Sequence, residues 1–267
     1  MEKKITSTKN TKVQLWRSLL KRSNRIKEGC YLIEGFKMVE EALHNNIPIK
    51  EILFKESTFS TGFFDDAQYP FPTYVLADHV FDTIASAKTP QGILAVLPLM
   101  EHSTLSDLGN FVLVLDEVQD PGNTGTLIRT ADAAGFTGVL LSNTSADLYS
   151  PKTLRATMGS IFHLPMVITS SLPHSLTVLK QDLGYALIAG QLGAPSFFSR
   201  SLLSPPLALI IGNEGRGISK ETLETATDYY SLPMKGCAES LNAAMAGGIM
   251  MYDLIRFEGK ESGLSSV

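Results

Sequence analysis

Three short segments in the second half of the chain hold the residue types that do chemistry. They are Asp120-Pro-Gly-Asn-Thr-Gly-Thr-Leu-Ile-Arg129, Ile210-Ile-Gly-Asn-Glu-Gly-Arg-Gly217 and Leu232-Pro-Met-Lys-Gly-Cys-Ala-Glu-Ser-Leu-Asn242. Each follows a run (111–116, 207–211 and the shorter 229–232) that reads as a strand. Glycines and polar residues gathered at the carboxyl ends of parallel strands mark the ligand sites of open α/β sheets. In the first segment, Gly125 and Arg129 stand four apart on one helical face, and Asn123 is a candidate N-cap. Gly125 leaves room above the guanidinium, and a helix N-terminus adds partial positive charge, so a phosphate-and-ribose guest suits the place. The ordinary alternative for Arg129 is a surface ion pair with Asp132 or Asp116.

The second segment has glycines at 212, 215 and 217, but no Gly-Lys-Ser/Thr follows, so a phosphate loop fails. It is not the Gly-x-Gly-x-x-Gly turn of a dinucleotide site either. Glycines in such a bend let a flat nucleoside lie against the backbone. Glu214 reads otherwise as a surface carboxylate on a turn. In the third segment Ser240 is a good N-cap for a closing helix. The small residues Ala243-Ala-Met-Ala-Gly-Gly at the start of that helix permit close packing.

These segments need rigid elements behind them. From residue 111 onward, strands are predicted near 111–116, 138–142, 185–190, 207–211 and 229–232, and helices near 124–134, 151–160, 173–182, 219–226 and 241–257. That alternation predicts an α/β fold with a mainly parallel sheet covered on both faces. Before it, a helix over 11–27 carries Val13, Trp16, Leu19 and Leu20 on one stripe. Strands at 31–34, 49–54, 73–76 and 92–97, with helices at 35–45 and 78–87, complete a smaller alternating unit. Residues 98–110 read as a linker and 259–267 as a frayed tail.

Composition narrows the classes. With 44% hydrophobic and 19% charged residues in 267, the chain describes an ordinary soluble globular protein of one large or two modest domains. No apolar run approaches a membrane span, and no apolar region follows Met1-Glu-Lys-Lys4, so neither a membrane anchor nor a secretory leader is expected. Cys30 and Cys237 fall in different predicted domains, which implies reduced thiols in a cytoplasm. The five histidines lack ligand spacing, so no metal is expected. Net charge of −4 hides an asymmetry: residues 1–27 hold nine Lys or Arg against Glu2, while the remainder is acidic. Lys21, Arg22 and Arg25 in that basic stretch are candidate polyanion contacts, with a solvated helix face as the equal alternative.

Together, in this order and spacing, the three segments resemble the signature motifs of SpoU (TrmH-type) RNA ribose 2′-O-methyltransferases of the SPOUT class. The resemblance implies a carboxyl-terminal α/β-knot over 111–258, with a parallel sheet, a trefoil knot and a site for S-adenosylmethionine. It assigns Arg129, Asn123, Glu214, Ser240 and Asn242 to catalysis and site organisation. Gly212, Asn213, Gly217, Leu232, Met234 and Leu241 are assigned to the cofactor. Residues 32–43 and Thr89-Pro-Gln-Gly92 resemble an L30e/L7Ae-like substrate-binding domain, here 1–97, found on members that act on ribosomal RNA. The implied protein is a cytoplasmic homodimer joined through its carboxyl-terminal domain, methylating a ribose in ribosomal RNA, with 23S RNA favoured. A transfer-RNA methyltransferase and a non-catalytic RNA-binding paralogue are the alternatives.

Overall fold

The computed structural model describes residues 3–59, 71–100 and 103–256, so the expected tail at 259–267 lies outside them. The chain forms two compact units, one comprising residues up to 100 with Asp147–Phe162, the other the remaining described residues.

The first unit runs β1 (Lys3–Ile5), α1 (Thr11–Ser18), α2 (Arg22–Glu28), β2 (Cys30–Glu34), α3 (Phe36–His44), β3 (Glu51–Lys55), β4 (Thr73–Leu76), α4 (Asp78–Phe81) and β5 (Ile93–Pro98). Its described strands form a mixed sheet in the order β1-β4-β3-β5-β2, over a core built around Trp16, Leu53, Leu76, Phe81 and Leu94. The single helix expected over 11–27 is two. Asn24 Nδ2 donates to the Ser18 carbonyl (3.0 Å) and Arg25 Nη1 to that of Leu19 (2.7 Å). Side chains of α2 thus satisfy carbonyls that the end of α1 leaves open, which stabilises the break.

That use of Arg25 corrects one expectation. Its side chain is 4% exposed and paired with Asp147, so it does not face solvent as an RNA contact requires. Lys21 and Arg22 are exposed.

The second unit opens with β6 (Phe111–Asp116), α5 (Pro121–Ala134) and β7 (Gly138–Ser142). The chain then contributes α6 (Pro151–Thr157) to the first unit, where the Tyr149 and Tyr31 rings stack 4.7 Å apart and Arg155 approaches Glu34 at 3.6 Å. It returns as β8 (Met166–Thr169), α7 (Leu172–Gln181), β9 (Ala186–Gly190), β10 (Leu207–Gly212), α8 (Lys220–Leu223), β11 (Asp228–Tyr230) and α9 (Ala243–Ile255). The sheet order is β11-β9-β10-β6-β7-β8, every pair parallel. All six residues of β6 and of β10 are buried, as central parallel strands covered on both faces must be. The edge strands β1 and β8 have no counterpart among the expected elements.

Close packing of α9 on α5 depends on its small residues. A Cβ at Gly247 would lie 2.5 Å from the Leu127 side chain, and one at Gly248 3.4 Å from that of Thr130. The closing helix begins at Asn242, whose Oδ1 accepts from the Ala244 (2.9 Å) and Met245 (3.3 Å) amides. Ser240 is therefore not its cap. Likewise Asp120, with Pro121 behind it, caps α5 by accepting from the Asn123 amide at 2.9 Å, so Asn123 lies inside the helix.

Candidate active site

The strand order reverses between β6 and β10, and the carboxyl ends of such strands are where a crevice opens in a doubly wound sheet. A cavity of 340 Å³ lies at the ends of β9, β10 and β11 and against α9, within the ~300–1,000 Å³ range of small-ligand sites. Its walls include Gly212, Asn213, Glu214 and Gly217 from the second segment and Leu232, Met234, Ser240 and Leu241 from the third. Gly190, which ends β9, and Gln191 and Leu192 after it add a wall that the sequence reading missed. The signal was there, because a Gly followed by polar and apolar residues closes that strand too.

Two glycines shape the loop after β10. A Cβ at Gly212 would strike the backbone of Gly217 and Ile218, and Gly217 has φ +74°. Asn213 and Gly217 exchange both backbone hydrogen bonds at 2.9 Å across this turn. The Asn213 side chain faces inward: Nδ2 donates to the Glu117 carbonyl (2.8 Å) and Oδ1 accepts from the Gly215 and Arg216 amides (3.0 Å each). Its polar atoms hold the loop.

Glu214 ties the second segment to the first. Its carboxylate accepts from the Gln119 (3.2 Å) and Asp120 (3.1 Å) amides and from Asn123 Nδ2 (2.9 Å), at the positive end of α5. Because a carboxylate only accepts, the Asn123 amide must present nitrogen to it, leaving Oδ1 to accept from Asn242 Nδ2 at 2.9 Å. One chain of hydrogen bonds thus joins Glu214, Asn123 and Asn242, and through Asn242 the start of α9. Burial alone would raise the Glu214 carboxyl, but the Asn123 bond and the backbone donors outweigh it and hold it below its ordinary value of 4.5. A depressed folded value means that the stabilisation is complete above about pH 4.5 and fades as the pH falls through the folded value. In Asn123→Ala the Glu214 titration midpoint, followed by carboxyl carbon NMR, should move upward, toward or past its ordinary value. An unmoved midpoint would mean that Asn123 does not hold it.

Arg129 is apart from this network. It is exposed on α5, does not line the cavity, and makes no ion pair with a described residue. Both acids considered for it are engaged elsewhere: Asp132 with His163 Nδ1 at 2.7 Å, and Asp116 with the Ser219 amide and hydroxyl. Gly125 is buried, so it does not provide the open room expected above the guanidinium. Ser240 is exposed and free of hydrogen bonds to described residues. Among the described residues, none hydrogen-bonds to the backbone of 232–241. Cys30 and Cys237 are free thiols. No group of described residues forms a metal site, and no described helix is long and apolar enough to cross a membrane.

A parallel, doubly wound sheet with a glycine-shaped cavity at its strand ends defines an α/β protein with a small-ligand site. The chain belongs to the SpoU rRNA Methylase family, which residues 110–252 match. Residues 10–95 match the MRM3-like substrate binding domain. The chain is 41% identical over 256 residues, 94% of its length and 99% of the relative's, to the 23S rRNA (guanosine(2553)-2'-O)-methyltransferase RlmP of Bacillus subtilis (strain 168). It resembles the structure of an AdoMet-bound rRNA methyltransferase from Sinorhizobium meliloti, with TM-score 0.82 and 30% identity, covering 98% of this chain and 99% of that one. The SpoU methyltransferase AviRb from Streptomyces viridochromogenes, in complex with AdoMet, gives TM-score 0.84 at 26% identity, covering 96% and 100%.

Proposed function

We propose that this protein transfers a methyl group from S-adenosylmethionine to a ribose 2′-hydroxyl of ribosomal RNA, in 23S RNA by its likeness to RlmP. The observation that carries the reading is the convergence of the second and third segments on one cavity, with the first tied to both by the Glu214–Asn123–Asn242 hydrogen bonds. The cavity suits the donor. Gly212 lets the loop fold tightly against itself at the cavity wall, and the backbone groups of 232–241, which no described residue hydrogen-bonds, suit an adenine edge between Leu232, Met234 and Leu241. Bound there, S-adenosylmethionine supplies an electrophilic methyl on a sulfonium.

The chain's own residues orient the ribose and accommodate its charge. A guanidinium has no acceptor, so Arg129 is no general base; unpaired and exposed, it stabilises the emerging alkoxide and the adjacent phosphate. Glu214, Asn123 and Asn242 hold the two helix starts in place, and the free Ser240 hydroxyl is left to hydrogen-bond substrate. Residues 1–97, with 147–162 packed among them, form an RNA-binding domain, 98–110 a linker and the rest of 111–258 a knotted methyltransferase domain in a cytoplasmic homodimer. Dimerisation is supported by the exposed stripe Met245, Ile249 and Tyr252 on α9, spaced to share one face. An active monomer at micromolar concentration would refute that part.

Mapping 2′-O-methyl groups in ribosomal RNA from cells with and without the gene tests the reaction. A lost 23S mark supports it; marks lost from transfer RNA alone would overturn the substrate. Neutralising Lys21 and Arg22 together should weaken RNA binding and flatten its dependence on salt, since each phosphate contact releases about one counterion. Unchanged affinity and slope would make that face an ordinary solvated one.

A further inference from the structure

Asp116, which ends β6, and Glu117 after it do not line the cavity described above, yet they grip the loop that does. Asp116, the last residue of the strand, is 3% exposed, and its Oδ2 accepts from the Ser219 amide (2.7 Å) and hydroxyl (2.8 Å). Ser219 is the N-cap of α8, at the far end of the loop. Glu117 follows with φ +55°, a left-handed backbone that non-glycine residues adopt rarely and at a cost in strain. Its polar groups are all engaged. The amide donates to Ser142 Oγ (3.0 Å), the carbonyl accepts from Asn213 Nδ2 (2.8 Å) and the carboxylate accepts from Arg216 Nη2 (2.7 Å).

Loop 212–219 is therefore held at its start through Asn213, in its middle through Arg216 and at its end through Ser219. Glycines at 212, 215 and 217 make it intrinsically loose, so its shape depends on these outside grips. The Arg216 pair is mostly exposed and adds direction more than strength. Only four residues after Glu117, α5 begins, carrying Asn123 and Arg129. The same piece of backbone sets both the loop and the helix.

We propose that Asp116 and Glu117 are positioning residues that keep the methyl-donor loop in register with the start of α5. This rests on the reading under Proposed function. Bringing donor and acceptor together demands such control, because a misplacement of about 1 Å lowers rates by roughly 10²-fold. A strained residue held by three separate bonds at the edge of a site is the kind of element that supplies it.

The test uses the full-length protein and three variants. Asp116→Ala should weaken S-adenosylmethionine binding, by calorimetry, roughly tenfold, the loss expected for hydrogen bonds to a charged group. Asp116→Asn, which keeps an acceptor, should recover most of it. Glu117→Gly keeps the left-handed backbone and removes the carboxylate; it should lower kcat at saturating donor more than it raises KM. In Asp116→Ala and Glu117→Gly, amide hydrogen exchange over 213–219 should accelerate while that of β7 stays as in the wild type. Folded variants with unchanged binding, kcat and loop exchange would overturn the proposal, as would a lowered Tm with unchanged kinetics. A wild type that binds no S-adenosylmethionine would refute the functional reading instead, and the exchange comparison would still decide whether these residues hold the loop.

Discussion

Replacing Arg129 with alanine is expected to lower methyl transfer by about 10²–10³ while S-adenosylmethionine binds with wild-type affinity, the loss typical of one preorganised donor to a developing oxyanion. The separation follows from placement. The cavity walls come from the ends of β9, β10 and β11 and from α9, and Arg129 is not among them. Nothing in the described structure neutralises its guanidinium, since Asp132 turns to His163 and Asp116 to Ser219. An unpaired exposed cation on a helix that is otherwise tied into the site is available to the negative charge that forms during transfer. Arg129→Lys should rescue poorly, because an ammonium lacks the planar fork that spans a phosphate and a neighbouring oxygen. Calorimetry with the donor and a tritiated-methyl assay on ribosomal RNA read the two quantities separately. Wild-type transfer by Arg129→Ala would remove Arg129 from the mechanism, and weakened donor binding would move it to the cofactor.

The second large effect is on stability. Asp253→Ala should destabilise the protein by about 3–5 kcal/mol, on the order of 10 °C in Tm, because it removes the carboxylate that pairs with a buried arginine. Asp253 and Arg200 are 7% and 6% exposed and meet at 2.5 Å, with Arg256 joining Asp253 at 2.8 Å. Arg200 also lies over the Phe197 ring, 3.9 Å from its centre, and Phe197 packs edge-on to Tyr230 of the cavity wall. An aspartate in the last turn of α9 is disfavoured by the helix dipole, so pairing is what justifies it there. Exchanging both partners for apolar residues, Arg200→Met with Asp253→Leu, should cost less than Asp253→Ala alone. Chemical denaturation of the single and double variants checks this. A single variant as stable as the wild type would show that the pair is solvated in solution.

Much of the site was legible because its signals are local. The alternation of 111–116, 138–142 and 207–211 with helical stretches, Ser150-Pro151 opening α6 and Gly135 ending α5 all appear as expected. So does the gathering of the second and third segments at parallel strand ends. Capping was half legible. Asp120 and Asn123 both carry the right side chain, and only the structure shows Asp120 on the helix amide and Asn123 turned toward Glu214.

What the sequence by itself determined is periodicity, turn chemistry and the presence of reactive groups, since each depends on neighbours a few residues apart. The tertiary structure alone decided partners. Arg25 reads as one more cation of a basic stretch until Asp147, 122 residues away, buries it. Nothing in the sequence singles out Glu117, whose backbone turns left-handed and meets a loop nearly a hundred residues on. Arg129 reads as half of an ion pair until its two candidate acids are taken by Ser219 and His163. The physical reason is the same in each case: a charged or polar group takes its state from whichever partner lies within about 3 Å, and long-range folding sets that distance.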